Sequence, residues 1–191
     1  MAVAARNLKS AQEFADKFDI PKAYEGYDAL AKDPNVEVVY VGSINPTHLN
    51  ICKLLLSNGK HVLCEKPLGM NVKETEEMVN LAREKKLFFM EAIWSRYTLK
   101  KISINFFLLK WHLFNYNFII PIIFFRVQPS YLKLKEEILS GAIGEVFDVN
   151  SQFGVQIEAD RVAKKELGGG ALLDIGIYCV QFSQFIFEVH I

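Results

Sequence analysis

The chain has 191 residues, which is enough for one domain and part of a second. Hydrophobic residues make up 51% of it and charged residues 23%, so it can bury a sizeable core. Lysine plus arginine and aspartate plus glutamate both number 22, and this balance excludes the basic surface that nucleic acids and anionic membranes attract.

Residues 1–97 alternate between the strand and helix periods of hydrophobicity. The predicted strands are Met1–Ala5, Val36–Val41, His61–Cys64 and Leu87–Met90. The predicted helices are one capped by Asn7 and ended by Pro21, one near Tyr27–Ala31, one at Thr47–Ser57 ended by Asn58-Gly59, and one lined by Val72, Met78, Val79 and Ala82. Such alternation predicts an α/β fold with a parallel sheet, in which the apolar run Val36–Val41 is covered on both faces. A doubly wound nucleotide-binding fold and a flavodoxin-like fold both fit.

Residues 98–128 depart from this pattern, because they are rich in Phe, Ile, Asn, Leu and Lys and lack Ala, Gly, Asp and Glu. One interpretation is a translated intron, since AT-rich codons give this composition. The other is a membrane-spanning helix over 102–125, for which about 20 apolar residues suffice. The intron is favoured, because Lys110 and His112 inside the run would be costly near the bilayer centre.

Ordinary protein sequence resumes at Pro129. The predicted elements are a helix at Tyr131–Ser140 ended by Gly141, a strand at Glu145–Phe153, and an apolar helix that Gly168-Gly169-Gly170 opens and that runs to about Phe187. The chain begins inside a predicted strand and stops after an apolar helix with no predicted partner, so we expect both ends to be truncated. The predicted divisions are 1–97, 98–128 and 129–191.

The three cysteines, Cys52, Cys64 and Cys179, form no C-x-x-C pair. They predict buried free thiols in a reducing compartment rather than a disulfide or a metal site. The four histidines lack metal-ligand spacing, and the N-terminus lacks a signal-peptide pattern. These features predict a cytosolic protein without a bound metal.

Two clusters of residues suggest chemistry. Glu65-Lys66 follows a buried parallel strand, at the sheet edge where ligands bind, and Pro67 restricts the backbone of Lys66 and could follow a cis bond. Asp174 and Tyr178 are four residues apart, so a regular helix would present both on one face. An ammonium near Tyr178 would favour its phenolate and make it an acid–base group. The alternatives are a surface lysine and a buried tyrosine with one satisfied hydroxyl.

Three motifs, CEKPLGMNVKE, FMEAIWSRY and GGGALLDIGIYCVQF, together resemble the glucose–fructose oxidoreductase and inositol dehydrogenase family. The similarity covers nearly all of the chain except 98–128 and the last few residues. It implies a dinucleotide-binding (Rossmann) domain followed by a C-terminal α/β domain with a large open sheet. It also implies NADP-linked hydride transfer on a trans-dihydrodiol or a pyranose sugar such as D-xylose, and a homodimeric full-length parent.

The resemblance also implies roles for single residues. Lys66 and Tyr178 match the catalytic lysine and the acid–base tyrosine, and Glu65 matches a residue beside the nicotinamide. The remaining matches are the substrate-site residues Asp174, Trp94 and Arg96 and the dinucleotide-side residues Asn45, Pro46 and His48. For His48 the alternative is an exposed residue at a helix N-terminus.

Arg6 directly follows a strand of the nucleotide-binding domain, where a guanidinium suits a 2′-phosphate and favours NADP over NAD. The family's first strand and glycine-rich turn should precede Met1, and most of its C-terminal sheet should follow Ile191. We therefore expect the activity of the 191-residue chain to be impaired. Two alternatives are a non-catalytic fragment that binds a partner subunit through exposed sheet edges, and a membrane-anchored variant through 102–125.

Overall fold

The structure, a computed structural model, describes residues 1–93 and 129–187. The chain forms two compact units, the first made of Met1–Ala92 and Glu158–Leu173 and the second of Ile93–Ile157 and Asp174–Ile191. The segment Glu158–Leu173 packs with the first unit, and the predicted divisions 1–97, 98–128 and 129–191 stay predictions. The predicted insertion at 98–128 lies outside the described residues.

Short strands alternate with helices throughout residues 1–93. The strands are β1 (Val3–Ala5), β2 (Ala23–Glu25), β3 (Val38–Val41), β4 (His61–Cys64) and β5 (Phe89–Glu91). The helices are α1 (Leu8–Lys17), α2 (Asp28–Lys32), α3 (His48–Ser57) and α4 (Val72–Glu84), and a 3₁₀ turn at Asn45–Thr47 leads into α3. Each strand and helix predicted for this region is present, and the sequence analysis missed β2.

The strands of residues 1–93 pair in parallel and form two sheets. β1 pairs with β2, while β3, β4 and β5 form a three-stranded sheet with β4 in the middle. A parallel pair needs a crossover connection, which α1, α3 and α4 supply for β1–β2, β3–β4 and β4–β5. This arrangement confirms the predicted α/β class.

Asparagine side chains fix the start of two helices. Asn7 Oδ1 accepts a hydrogen bond of 2.8 Å from the backbone N–H three residues on, which confirms the predicted cap of α1. Asn71 caps α4 in the same way, with a bond of 3.0 Å. The prediction that Pro21 ends α1 was wrong, because the helix stops at Lys17 and the chain turns through Asp19, whose φ is +52°.

The core of the first unit forms where α3 packs against α2, α4 and the strands β3 and β4. Its largest fully buried apolar side chains are Cys52, Leu55 and Leu56 from α3, Val62 and Cys64 from β4, and Met78 from α4. Burial of each leucine or methionine contributes roughly 2 kcal/mol. Met78 confirms the predicted inward face of α4, whereas Val72, its first residue, is 73% exposed, contrary to prediction.

One face of β3 is exposed, although its apolar run predicted a strand covered on both faces. Val39 and Val41 contact the core, whereas Val38 and Tyr40 are 49% and 48% exposed. Side chains alternate along a strand, and α3 packs against one face of β3. The prediction failed because a run of apolar residues does not reveal whether a helix packs on the second face of the strand.

Two cysteines of the first unit, Cys52 on α3 and Cys64 on β4, are fully buried free thiols. The Cys52 thiol beside it, together with burial, raises the pKa of the Cys64 thiol far above its ordinary value. A thiol that stays protonated is a poor nucleophile and a poor metal ligand. The prediction of buried free thiols is confirmed for this pair, and Cys179 in the second unit is half-buried.

A buried carboxylate, Asp33, ties β2 to the start of β4. Its Oδ2 accepts from the Tyr24 hydroxyl at 2.8 Å and from Lys22 Nζ at 3.1 Å, and its Oδ1 accepts from the Asn35 N–H at 2.9 Å. Its backbone oxygen accepts from Lys60 Nζ at 2.7 Å. The hydrogen bonds that the Asp33 carboxylate accepts, above all the one from the Asn35 backbone N–H, hold the pKa of this carboxyl well below its ordinary range.

Asp33→Asn is expected to lower the Tm of the chain at neutral pH by roughly 5 °C or more. The substitution removes the negative charge that accepts hydrogen bonds from Lys22, from Tyr24, and from the backbone and side-chain N–H groups of Asn35. Since the pKa of Asp33 is lower in the folded than in the unfolded chain, its stabilisation is complete above about pH 4 and is lost as the pH falls further. Thermal unfolding of the Asp33→Asn and unsubstituted chains at about pH 7 and about pH 3 measures this loss of stability. The exposed Asp16→Asn serves as control, and equal acid sensitivity of the Asp33→Asn and unsubstituted chains would contradict the prediction.

Within the described part of residues 129–187 the regular structure is helical. Its elements are α5 (Pro129–Leu139), α6 (Asp160–Ala163), a 3₁₀ turn (Lys165–Leu167), a π-helical turn (Leu172–Gly176) and α7 (Ile177–Phe187). The prediction of a helix ended by Gly141 is confirmed. The strand predicted at Glu145–Phe153 was wrong: no described segment pairs with it, and Phe147 is 92% exposed. A strand needs a paired neighbour, which alternation of residues cannot supply.

The segment Lys165–Phe187 is long and apolar enough to cross a membrane. Length and composition alone are weak grounds, since helices of soluble proteins meet the same criteria. Gly168 and Gly170 have φ of +77° and +140°, which interrupts the helix, and the buried Asp174 lies within the segment. The membrane interpretation of 102–125 concerns residues outside the described ranges.

Candidate active site

The carboxyl ends of β3, β4 and β5 lie level at one edge of the sheet. In the parallel register Val41 pairs with Cys64, and Cys64 pairs with Glu91. The segments that follow these strands therefore leave the sheet side by side. In open α/β sheets ligands bind outside the carboxyl ends of the strands, so this edge is the candidate site.

Glu65 and Lys66 follow β4 directly, as the sequence predicted. One Glu65 oxygen accepts from the Tyr40 hydroxyl at 2.6 Å, and the other accepts from the backbone N–H of Lys66 at 3.1 Å. The Lys66–Pro67 peptide bond is cis. Glu65 therefore fixes the backbone from which the half-buried Lys66 side chain extends.

A second carboxylate, Glu91, holds the other side of this segment. Glu91 is the last residue of β5, and its Oε1 accepts from the backbone N–H of Leu68 at 2.9 Å. The backbone on both sides of Lys66 is thus tethered by carboxylates from the ends of neighbouring strands. This restricts where the Lys66 ammonium group can lie.

His48, the first residue of α3, is fully buried. Its Nδ1 lies 2.9 Å from Pro67 O, and its Nε2 lies 3.0 Å from Ser43 O. The interpretation of His48 as an exposed helix-terminal residue was wrong. Its predicted place beside the dinucleotide gains no support either, because both ring nitrogens face backbone carbonyls of the first unit.

Asn45 and Pro46, in the 3₁₀ turn after β3, contact a second turn that is distant in the sequence. Asn45 Nδ2 donates to Gly168 O at 3.1 Å. Gly168 has a φ of +77°, and a Cβ there would lie 2.8 Å from Pro46 Cδ and 2.9 Å from Asn45 Cβ. The two residues predicted to face a cofactor thus also hold Gly168, in a contact that admits only glycine.

Arg6 directly follows β1 and is exposed, as its place in the sequence predicted. The strand belongs to the β1–β2 ladder, which is also parallel. The guanidinium therefore follows the carboxyl end of a parallel strand, which is where these folds contact the nucleotide ribose.

Asp174 and Tyr178 belong to the second unit. Asp174, 7% exposed, lies in the π-helical turn, and Tyr178 lies in the first turn of α7. The Tyr178 ring packs edge-on against Phe153, with ring centroids 5.6 Å apart. The sequence predicted a regular helix here, whereas the π-helical turn widens the backbone at Asp174, and such turns are frequent at functional sites.

The predicted substrate-site residues Trp94 and Arg96 lie outside the described residues. Sequence reasoning also missed three residues that contact predicted ones: Tyr40, Glu91 and Gly168. Glu91 was recognisable, because it directly follows a predicted strand, as Glu65 does. The Gly168-Gly169-Gly170 run marked a break in the chain, but the contacts of Tyr40 and Gly168 could not be predicted, since their partners lie 25 and 123 positions away.

Tyr40→Phe is expected to lower the free energy of unfolding by about 1 kcal/mol, because Glu65 loses a hydrogen-bond donor. Burial and the Glu65 carboxylate raise the pKa of Tyr40 above that of an ordinary tyrosine. Its contribution to stability is therefore complete below about pH 10 and declines at higher pH. Urea unfolding of both chains at about pH 8 tests the difference. Tyr27→Phe is the control, since Tyr27 is a half-buried tyrosine directly before α2. An equal loss of the free energy of unfolding in both variants would contradict the prediction.

Comparison with protein families matches both parts of the chain to one family. Residues 1–93 match the model described as an oxidoreductase family with an NAD-binding Rossmann fold, GFO/IDH/MocA. Residues 131–191 match the model of the GFO/IDH/MocA C-terminal domain. The predicted 98–128 insertion falls between the two matches.

Individual relatives agree with this match. The trans-1,2-dihydrobenzene-1,2-diol dehydrogenases of Xenopus tropicalis and Homo sapiens are 42% and 43% identical to the chain over 189 and 188 residues. Each match covers 98% of the chain but 48% and 47% of the relative, so the chain spans about half the length of these curated relatives.

Solved structures give the same result. A 3-ketoreductase from Actinomadura kijaniata, solved with NADP and TDP-benzene, superposes with a TM-score of 0.70 at 26% identity and covers 98% of the chain and 49% of the ketoreductase. An NAD-binding oxidoreductase from Klebsiella pneumoniae superposes with a TM-score of 0.65 at 27% identity, over 97% of the chain and 43% of that protein. The two family models, the relatives and the parallel α/β fold agree, and the chain belongs to the GFO/IDH/MocA oxidoreductase family with an NAD-binding Rossmann fold.

Proposed function

We propose that this chain carries the cofactor-binding and catalytic residues of an NADP-dependent dehydrogenase that oxidises trans-dihydrodiols. Pyranose sugars such as D-xylose are a second substrate class. The observation that carries the proposal is the tethered Glu65-Lys66 segment at the carboxyl end of β4, in a chain of this oxidoreductase family. The homodimer and the cytosolic location expected for the full-length parent belong to the same proposal.

The residues that follow β1, β3 and β4 fit a dinucleotide in their chemistry. Arg6, Asn45 and Lys66 each follow the carboxyl end of a parallel strand, and together they offer a guanidinium, a carboxamide and an ammonium group. Phosphate and ribose groups accept hydrogen bonds from such donors. Pro46 and Glu65 complete the proposed set, while His48 lies behind it, buried.

When bound, NADP would supply the acceptor for the hydride that leaves the carbinol carbon, and the residues of the chain would take up the proton that leaves the substrate hydroxyl. Tyr178 takes up this proton as its phenolate. The pairing of Tyr178 with Lys66 rests on the family motifs that contain them. A positive charge beside a phenol, whose ordinary pKa is near 10, favours its ionised form, and Lys66 is the residue proposed to supply that charge. Asp174, Trp94 and Arg96 are proposed to bind the substrate.

The choice of NADP over NAD rests on Arg6. An exposed guanidinium can bind a 2′-phosphate through two charge-assisted hydrogen bonds, which NAD cannot form. The NADP in the Actinomadura kijaniata structure supports the same choice. The substrate class is supported by the names of the dihydrodiol dehydrogenases that match the chain.

The test is an absorbance assay of NADPH formation by the purified chain, with trans-1,2-dihydrobenzene-1,2-diol and with D-xylose. Turnover with NADP is expected to exceed turnover with NAD, and Arg6→Ala is expected to reduce that preference about tenfold. Arg83→Ala, an exposed residue near the end of α4, is the matched control. A variant lacking residues 98–128 is assayed in parallel. Absence of turnover and of cofactor binding in both chains would overturn the proposal.

A further inference from the structure

The His48 side chain links two loops that follow neighbouring strands. The ring is fully buried at the start of α3, with Nδ1 2.9 Å from Pro67 O and Nε2 3.0 Å from Ser43 O. Ser43 O belongs to the loop after β3, and Pro67 O belongs to the loop after β4. One rigid ring thus fixes the distance between two backbone carbonyls at the sheet edge.

These loops carry the residues proposed to bind the cofactor. Asn45 lies two residues after Ser43, and Lys66 directly precedes Pro67. Other bonds brace the first loop internally, since Thr47 Oγ1 donates to Ile44 O at 2.7 Å. The ring therefore joins the braced turn at Asn45 to the Lys66 segment.

An apolar residue at position 48 would fill the space but would not replace the polar contacts. A neutral imidazole carries one N–H, so it donates to one of the two carbonyls, and only a ring with an N–H on both nitrogens donates to both. A carbonyl that accepts from the ring would lose its donor, and a buried polar group without a hydrogen bond is costly. A glutamine can restore one such bond, but its flexible side chain does not hold the two loops at a fixed separation as the rigid ring does.

We propose that His48 is a positioning residue, which sets the separation between the Asn45 turn and the Lys66 segment without touching cofactor or substrate. The expected effect of His48 on the Kd for NADPH rests on the proposed function. The linkage of the two loops by His48 does not depend on that function.

The test compares His48→Phe, His48→Gln and His61→Gln. His61 is the matched control, because it also bonds to backbone, accepting from the Phe88 N–H at 2.9 Å, but it lies at the amino end of β4. NADPH titration should give a Kd raised at least about tenfold by His48→Phe, about threefold by His48→Gln and less than about twofold by His61→Gln. Hydrogen–deuterium exchange of peptides that cover residues 43–48 and 65–70 reports on the loops without cofactor.

Faster exchange in both loops of the His48 variants, with His61→Gln like the unsubstituted chain, is the expected result. Unchanged exchange in His48→Gln and His48→Phe would overturn the inference, and so would an equal loss of NADPH affinity in His61→Gln. If the unsubstituted chain binds no NADPH, the proposed function fails, and exchange alone decides whether His48 links the loops.

Discussion

Lys66→Met is expected to lower the kcat of dihydrodiol oxidation by about a hundredfold to a thousandfold, and to raise the Kd for NADPH by only about tenfold through the loss of one proposed donor to the cofactor. Methionine is one atom shorter than lysine and carries no charge, so this variant lacks the charge that is proposed to favour the phenolate of Tyr178. The Lys66 backbone keeps its tethers in this variant, because the bonds to Glu65 and from Leu68 to Glu91 do not involve the lysine side chain. NADPH absorbance gives kcat, and fluorescence titration gives the Kd.

Lys73→Met is the matched control, since Lys73 is exposed on the helix that follows the Lys66 segment. Its kcat should equal that of the unsubstituted chain. If Lys66 and Tyr178 form the proposed pair, Tyr178→Phe should reproduce the loss of kcat in Lys66→Met, and the double variant should lose little more. A Lys66→Met chain that keeps full kcat, or additive losses in the double variant, would contradict the proposed pair.

Gly168→Ala is expected to lower the free energy of unfolding by about 3–5 kcal/mol. Two costs combine at this position. A φ of +77° costs an L-residue about 1–2 kcal/mol, and the new Cβ would lie 2.8 Å from Pro46 Cδ and 2.9 Å from Asn45 Cβ. Since neither neighbour is the end of a flexible side chain, the turn must shift and lengthen the bond from Asn45 to Gly168 O.

Gly26→Ala separates the two costs. Gly26 has a φ of +70° in the same unit, but nothing lies within 4 Å of an added Cβ. We expect this control to lose about 1–2 kcal/mol, the cost of the backbone conformation alone. Urea unfolding of the three chains measures both losses. Equal losses in the two variants would show that Gly168 is not packed against the Asn45-Pro46 turn.

Sequence periodicity predicted the elements that local residues determine. The strand His61–Cys64 was predicted to the residue, and Asn7 was identified as a cap, because apolar alternation and capping act over a few residues. β2 was missed because its three residues form a strand only through pairing with β1. The strand predicted at Glu145–Phe153 failed for the same reason, since pairing is a property of the folded chain.

The positions of several candidate-site residues at the ends of strands could be predicted from the sequence, whereas their contacts could not. The position of Lys66 at the end of β4 followed from the fold class, because ligands bind outside the carboxyl ends of parallel strands. The burial of His48 could not be predicted, since its partners are carbonyls 19 and 5 residues away that the fold brings to it. The role of Gly168 likewise depends on a contact across 123 residues.

The most direct test of the central claim is a fluorescence titration of the unsubstituted 191-residue chain with NADPH. We expect saturable binding that is tighter for NADPH than for NADH, with the difference in Kd reduced in Arg6→Ala. Because the readout is binding, it does not depend on the choice of substrate. A linear, unsaturable response that Arg6→Ala leaves unchanged would contradict the claim that the loops after β1, β3 and β4 hold this cofactor.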